Sequence, residues 1–190
     1  MAANLILAMF MSLDGYVEGP GGQFVPPPWS DEAAEKWADY NLVHSGHLIY
    51  GRVNFEFNKA FWTSDAAAGM PETATMNRLA KTVVSRTLSG DPGWNGTVAT
   101  GDLAATVALL KASVTGGDIY SFGGAGLANS LMAADLVDEY RVMVTPSVFG
   151  DGKRLFQSGL PAGTLELVEV DRLDVGSVIL RYRRERGAAG

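Results

Sequence analysis

The 190-residue chain contains no cysteine, which excludes disulfide staples and thiolate catalysis and fits a reducing, cytoplasmic setting. Histidine is nearly as scarce. His44 and His47 have no cysteines or clustered acids near them, so no metal is expected and both read as structural. Positive charge is in short supply too: 15 Lys and Arg against 21 Asp and Glu leave a net charge of −6. The basic run Arg181, Arg183, Arg184 and Arg186 fits the solvated face and end of a last strand, so no nucleic-acid partner is expected. Long apolar runs are also missing. The segment from Asn4 to Met11 is too short for a membrane span and lacks a basic leader, so it reads as a first buried strand and no membrane partner is expected.

What is present is apolar enough, at 47% hydrophobic residues, to build one sizeable core. A single domain over residues 1–186 with a flexible tail at 187–190 is expected, since no repeat, low-complexity tract or linker divides the chain. Strand and helix patterns alternate, the mark of an α/β fold. Strands are predicted near 4–10, 47–50, 82–86, 96–99 and 118–122, and helices near 31–44, 52–60, 102–113 and 125–134. The rhythm then changes to a strand over 137–145 and a hairpin of 165–171 with 177–184, so the sheet should be mixed, parallel first and antiparallel at its end. Segments 16–30 and 61–78 have the composition of loops.

Three strand ends carry chemistry. The run Asp118 to Phe122 enters Gly123-Gly124 and continues at once into a helix-forming segment. Without a Cβ, both glycines let backbone approach an anion, and the free N–H groups of the next helix face it with the positive end of the helix dipole. A tight strand-to-helix turn without a ligand has the same appearance. The run His47 to Tyr50 likewise stops at Gly51 and opens a helix with Arg52. Lys81 to Val84 ends in Ser85 and Arg86, a hydroxyl and a guanidinium suited to a phosphate monoester. Either arginine alone would pass for a solvated surface residue. Three such ends in one α/β chain point to a dinucleotide, because ligands collect outside the carboxyl ends of the strands.

In order and spacing these segments resemble the dihydrofolate reductase-like superfamily, and within it stand-alone proteins similar to the reductase domain of bifunctional riboflavin-biosynthesis deaminase/reductases. The resemblance covers nearly the whole chain. It is carried by Ser12-Leu13-Asp14-Gly15-Tyr16, Gly51-Arg52 with Phe55-Glu56, Val84-Ser85-Arg86, Gly123-Gly124-Ala125, Leu136 to Tyr140, Thr145 to Gly152, and Leu155-Phe156. It implies a three-layer dihydrofolate reductase-like fold and hydride transfer to a small heterocyclic substrate, pterin-like or pyrimidine- or flavin-precursor-like, or to a carbonyl. NADPH is the implied cofactor and a homodimer the implied assembly. By the same resemblance Gly51, Arg52 and the residues after them meet cofactor phosphates, Ser85 and Arg86 the 2′-phosphate, and Gly123, Gly124, Ala125, Gly126 and Leu127 the pyrophosphate. Asn54 stands where the family often has Thr, and offers an amide in place of a hydroxyl. Ala8 stands where riboflavin-type reductases commonly have Lys, which weighs against the riboflavin-pathway substrate. No deaminase region precedes Met1, so a single activity is expected.

The substrate side is less explicit. Ser12, Asp14 and Gly15 form the turn after the first strand, where the Asp14 carboxylate would bind a substrate group or organise water for proton transfer, or simply close an Asx-turn. Trp29, after three prolines, is a candidate aromatic wall; Trp37, Phe61 and Trp62 read equally as core or interface. Folate-reducing relatives place a carboxylate on the first helix; Glu35 is the candidate here, with an exposed helix acid as its plain alternative. A dihydrofolate reductase proper and a non-catalytic NADPH-binding module are the alternative functions. Val142, Val144, Val148, Phe149, Leu155 and Phe156 supply apolar surface for a dimer or else belong to the core.

Overall fold

The structure, a computed structural model, describes residues 2–185; Arg186 and the expected tail at 187–190 lie outside them. The elements run β1 (Leu5–Ser12), β2 (Tyr16–Glu18), α1 (Asp31–Asn41), β3 (Ser45–Gly51), α2 (Arg52–Trp62), α3 (Thr73–Arg78), β4 (Ala80–Val84) and β5 (Gly96–Ala99). They continue with α4 (Leu103–Ser113), β6 (Asp118–Phe122), α5 (Ala125–Ala133), β7 (Glu139–Thr145), β8 (Lys153–Arg154), β9 (Leu165–Arg172) and β10 (Val178–Arg184). Eight strands form one sheet in the order β5-β4-β3-β6-β1-β7-β10-β9, while β2 pairs with β8 in a separate ribbon. The six strands from β5 to β7 are mutually parallel. β10 runs antiparallel to both β7 and β9, so the sheet is mixed as expected.

β1 is apolar from Leu5 to Met11 and buried over its first five positions because helices cover both faces of the sheet. Leu5, Leu7 and Met9 pack with Val107 of α4 and with Leu127, Ala128 and Leu131 of α5. Ile6 and Ala8 point the other way, joining Leu48, Tyr50, Phe55 and Val83. Farther along that second face, Ala33 of α1 packs on Met143, Leu173 and Ile179. The result is the three-layer dihydrofolate reductase-like fold.

Several boundaries differ from the expectation for identifiable reasons. The first helix ends at Asn41 instead of 44, because the His44 carbonyl already accepts the Asp118 amide of β6 and the chain must flatten to enter β3. α3 lies inside the expected loop 61–78, since Met76 and Leu79, three apart, plug the second cluster. β2 and β8 are too short to show a pattern. Val142 and Leu155, offered above as apolar surface, are buried in the core; Val148 and Phe156 are exposed. The strand starts come unusually close where Gly46 of β3 meets Gly117, for a Cβ on Gly117 would lie 2.5 Å from the Gly46 nitrogen and 2.6 Å from the His44 carbonyl oxygen. His47 is held neutral, with its pKa lowered to about 4 by burial and the nearby Lys81 charge, and its Nε2 lies 2.9 Å from Thr82 Oγ1. Among the described residues, no group of three or more His, Cys, Asp or Glu is placed to hold a metal. Nor is any helix there long and apolar enough to cross a membrane.

Beneath the C-terminal half of α1 the core turns polar. Glu139 accepts from Arg141 Nε at 2.6 Å and from Arg181 Nε at 2.6 Å, and Arg141 Nη1 donates to Tyr120 Oη at 2.8 Å. Burial alone would raise the Glu139 pKa, but the hydrogen bonds and charges of the two arginines outweigh it and hold the carboxyl below its ordinary value.

Two outcomes follow from this packing. Gly117→Ala should cost about 1–3 kcal/mol, read by urea unfolding, because backbone atoms have to move apart. Glu139→Gln should cost about 3–5 kcal/mol by leaving Arg141 buried without its counter-charge. As a depressed carboxyl, Glu139 contributes stability above its unfolded-state pKa and loses it as pH falls through the folded-state value, so the gap between wild type and Glu139→Gln should narrow on acidification.

Candidate nucleotide and substrate site

The parallel order places the carboxyl ends of β4, β3, β6 and β1 side by side along one edge, with Gly51 opposite Val84 and Ala8 opposite Phe122. The segments singled out for their chemistry continue from those four ends: Ser85-Arg86, Gly51-Arg52, Gly123-Gly124 and Ser12 to Gly15.

Gly123 and Gly124 adopt φ of +67° and +79°, a turn that favours glycine and aims the first turn of α5 at the edge. Ala125 and Leu127 anchor that turn in the core while Gly126 is exposed, and the opening N–H groups of α5 have no intrahelical acceptor. The β3 turn touches this one directly, since a Cβ on Gly51 would lie 3.6 Å from Leu127 Cβ. Asn54 braces the two. Its Nδ2 donates to the Phe122 carbonyl at 2.5 Å and its Oδ1 accepts from Asn58 at 3.1 Å. A Cβ on Gly124 would stand 3.1 Å from Asn54 Cβ. The amide that sequence reasoning aimed at a phosphate is thus engaged in holding the double-glycine turn open.

At the end of β4, Ser85 is buried; its Oγ accepts from the amides of Thr87 at 3.2 Å and Leu88 at 3.0 Å and lies 3.5 Å from Thr87 Oγ1. Arg86 is exposed and has no ion-pair or hydrogen-bond partner among the described residues. Arg52 is already paired with Glu56 at 3.2 Å, a half-exposed i,i+4 contact of small energetic weight. A double-glycine cradle, a free guanidinium and a buried hydroxyl fit a dinucleotide phosphate set.

At the end of β1, the buried Ser12 donates to Asp14 Oδ1 at 2.7 Å and accepts from the Tyr16 amide at 2.9 Å. Asp14 also accepts from the amides of Phe149 at 3.1 Å and Gly150 at 2.8 Å. The Ser12 hydroxyl, against an opposing effect of burial and with help from those amides, lowers the Asp14 pKa to about 2. Asp14 is thus a carboxylate at neutral pH, closed onto its own turn by Ser12 and onto the loop after β7 by two amides. Gly15, at φ +91°, passes its carbonyl to the Leu155 amide at 3.0 Å. Phe149, Gly150 and Arg154 are the partners that sequence reasoning missed. Phe149 and Gly150 sit within the Thr145 to Gly152 motif, yet backbone amides leave no trace in residue identity; Arg154, whose Nη1 donates to the Asp14 carbonyl at 3.2 Å, lies between that motif and Leu155-Phe156.

Trp29 lies at the rim, half-exposed, with its ring edge-on to Phe10 at 5.8 Å; Phe10 in turn meets Trp37 at 4.7 Å. Trp37 and Trp62 pack against the core. Glu35 is exposed on α1 and makes no hydrogen bond or ion pair to the Ser12–Gly15 turn or to either glycine turn among the described residues.

Known proteins share this fold. Over 184 residues the chain is 26% identical to the YyaP protein of Bacillus subtilis (strain 168), covering 94% of each. Its fold matches the Thermotoga maritima diaminohydroxyphosphoribosylaminopyrimidine deaminase/5-amino-6-(5-phosphoribosylamino)uracil reductase with a TM-score of 0.67 at 13% identity, over 96% of this chain and 57% of that one. It also matches the dihydrofolate reductase of Enterococcus faecalis complexed with NADP(H), with a TM-score of 0.63 at 14% identity, over 96% of this chain and 97% of that one. Residues 3–179 match the RibD C-terminal domain, and the chain belongs to that family of reductase-like domains.

Proposed function

We propose that this protein is an NADPH-dependent oxidoreductase that transfers a hydride to a small heterocyclic or carbonyl substrate, pyrimidine-like substrates being the family's own class. The observation that carries the reading is the convergence of the Gly123-Gly124 cradle with Gly51-Arg52 and Ser85-Arg86 at neighbouring carboxyl ends of one parallel sheet. The opening N–H groups of α5, over Ala125 to Leu127, receive the pyrophosphate, and Asn54 keeps that turn in shape. Ser85 donates its hydroxyl proton and Arg86 its guanidinium to the 2′-phosphate, a pairing that NADH would leave unmade. Bound there, NADPH supplies the hydride from its nicotinamide ring.

On the substrate side, Ser12 and Gly15 hold the turn in which Asp14 is fixed as an anion, orienting substrate or water without giving up a proton itself. The proton then comes from an ordered water, with Glu35, which has no competing partner among the described residues, as the carboxylate that would orient it. Trp29 forms an aromatic wall beside that turn. The working unit is a cytoplasmic homodimer, joined through the exposed apolar side chains of Val148 and Phe156 beyond β7.

Equilibrium titration with NADPH and NADH tests the reading: wild type should prefer NADPH, and Arg86→Ala should lose about 1.5–3 kcal/mol toward NADPH and little toward NADH. Binding of neither nucleotide by wild type would remove the reductase assignment. A second outcome concerns Asp14. In Asp14→Ala the Phe149 and Gly150 amides lose their acceptor, so their hydrogen exchange should accelerate by roughly tenfold or more. Unchanged protection at both amides would show that Asp14 does not clamp the loop.

A further inference from the structure

Under the C-terminal half of α1, toward the amino ends of the parallel strands, lies a cavity of about 360 Å³ lined by Asp39, Tyr40, His44, Arg141, Glu169 and Arg181. Arg181 stands directly opposite Arg141 of β7 and Glu169 of β9, so the three side chains share one face of the sheet. The end of α1 and the turn leading into β3 supply the rest of the wall. Arg141 is four residues from Thr145, the partner of Ser12 at the other end of β7, which sets the cavity roughly 13 Å along the strand from the candidate nucleotide and substrate site.

Two like charges opposite each other in neighbouring strands repel, and here a single carboxylate bridges them. Glu139 accepts from Nε of Arg141 and from Nε and Nη2 of Arg181. Arg141 gives its Nη1 to Tyr120 Oη, and its Nη2 has no acceptor among the described residues. The Arg141 side chain is only 5% exposed and it lines the cavity, so the cavity is the space from which an acceptor can reach that remaining donor. A buried guanidinium N–H without an acceptor is costly, and a carboxylate is its planar complement.

The mouth of the cavity has the opposite sign. Asp39 is exposed and has no hydrogen-bond or ion-pair partner among the described residues. Glu169, also exposed, forms a long ion pair of 3.5 Å with Arg181 Nη1, which carries little energy at a surface. Tyr40 already donates its hydroxyl to Asp171.

We propose that this cavity is a second binding site for a small zwitterion, its carboxylate on Arg141 Nη2 and its ammonium between Asp39 and Glu169. A lone anion would satisfy Arg141 but face both carboxylates at the mouth, and a lone cation would leave the buried donor unmatched. An amino acid carries both groups in one molecule.

Two-dimensional amide NMR titrations with glycine, β-alanine, γ-aminobutyrate and ε-aminocaproate test it, with acetate and methylammonium as the separate halves of the ligand. At least one of the amino acids should shift the Arg141 and Arg181 amides saturably and bind about threefold or more tightly than acetate, while methylammonium gives no saturable shift there. Asp39→Asn, a change at an exposed and unpaired side chain, should weaken that amino acid about threefold without weakening acetate. Acetate binding as tightly as the best amino acid would leave a plain anion hole and overturn the proposal. So would the lack of a saturable shift with all four amino acids, or an affinity that neither Asp39→Asn nor Glu169→Gln changes. No probe is a nucleotide, so either result stands apart from the reductase reading.

Discussion

The arrangement depends on the parallel pairing of β1 with β6 on one side and β7 on the other. β1 is buried on both faces, and each fully buried Leu or Ile in it is worth about 1.5–3 kcal/mol. That burial sets the register: Leu5 opposite Ile119, Ile6 opposite Glu139, and with these the height at which every neighbouring strand ends. Shifting β1 by one residue would turn Leu5, Leu7 and Met9 from the α5 layer to the α1 layer. The carboxyl ends of β3, β4 and β6 are aligned because each strand is keyed through its neighbour to this central one.

Polar side chains at that edge divide into two sets by their partners. Asp14, Asn54 and Ser12 are engaged by backbone groups of a neighbouring turn and act as braces. Arg86 has no partner among the described residues, and the Ser85 hydroxyl has only a 3.5 Å contact with Thr87 Oγ1 as a possible acceptor. A carboxylate can be fixed by the scaffold around it, and Asp14 illustrates the point. The same three donors that fix its carboxylate also hold it ionised near neutral pH.

The edge is also divided electrostatically. Basic groups gather at the ends of β3 and β4, acids at the start of α1, and apolar side chains of α2 lie next to the boundary. The buried Glu139 network lies under the other half of α1 and stabilises the layer from which Trp29 and Glu35 project.

The sequence by itself determined the α/β class, the change from parallel to antiparallel pairing, and the three glycine- or arginine-bearing strand ends, because apolar periodicity and missing Cβ atoms are local properties. It also placed Ser12-Leu13-Asp14-Gly15 at the end of β1. The interior position of β1 and the insertion of β6 between β3 and β1 came only from tertiary structure, since strand order depends on which apolar faces bury one another across the chain. The same holds for the duties of Asn54 and Asp14. Their partners, the carbonyl of Phe122 and the amides of Phe149 and Gly150, lie 68, 135 and 136 residues away, and backbone groups are identical at every position until folding selects one.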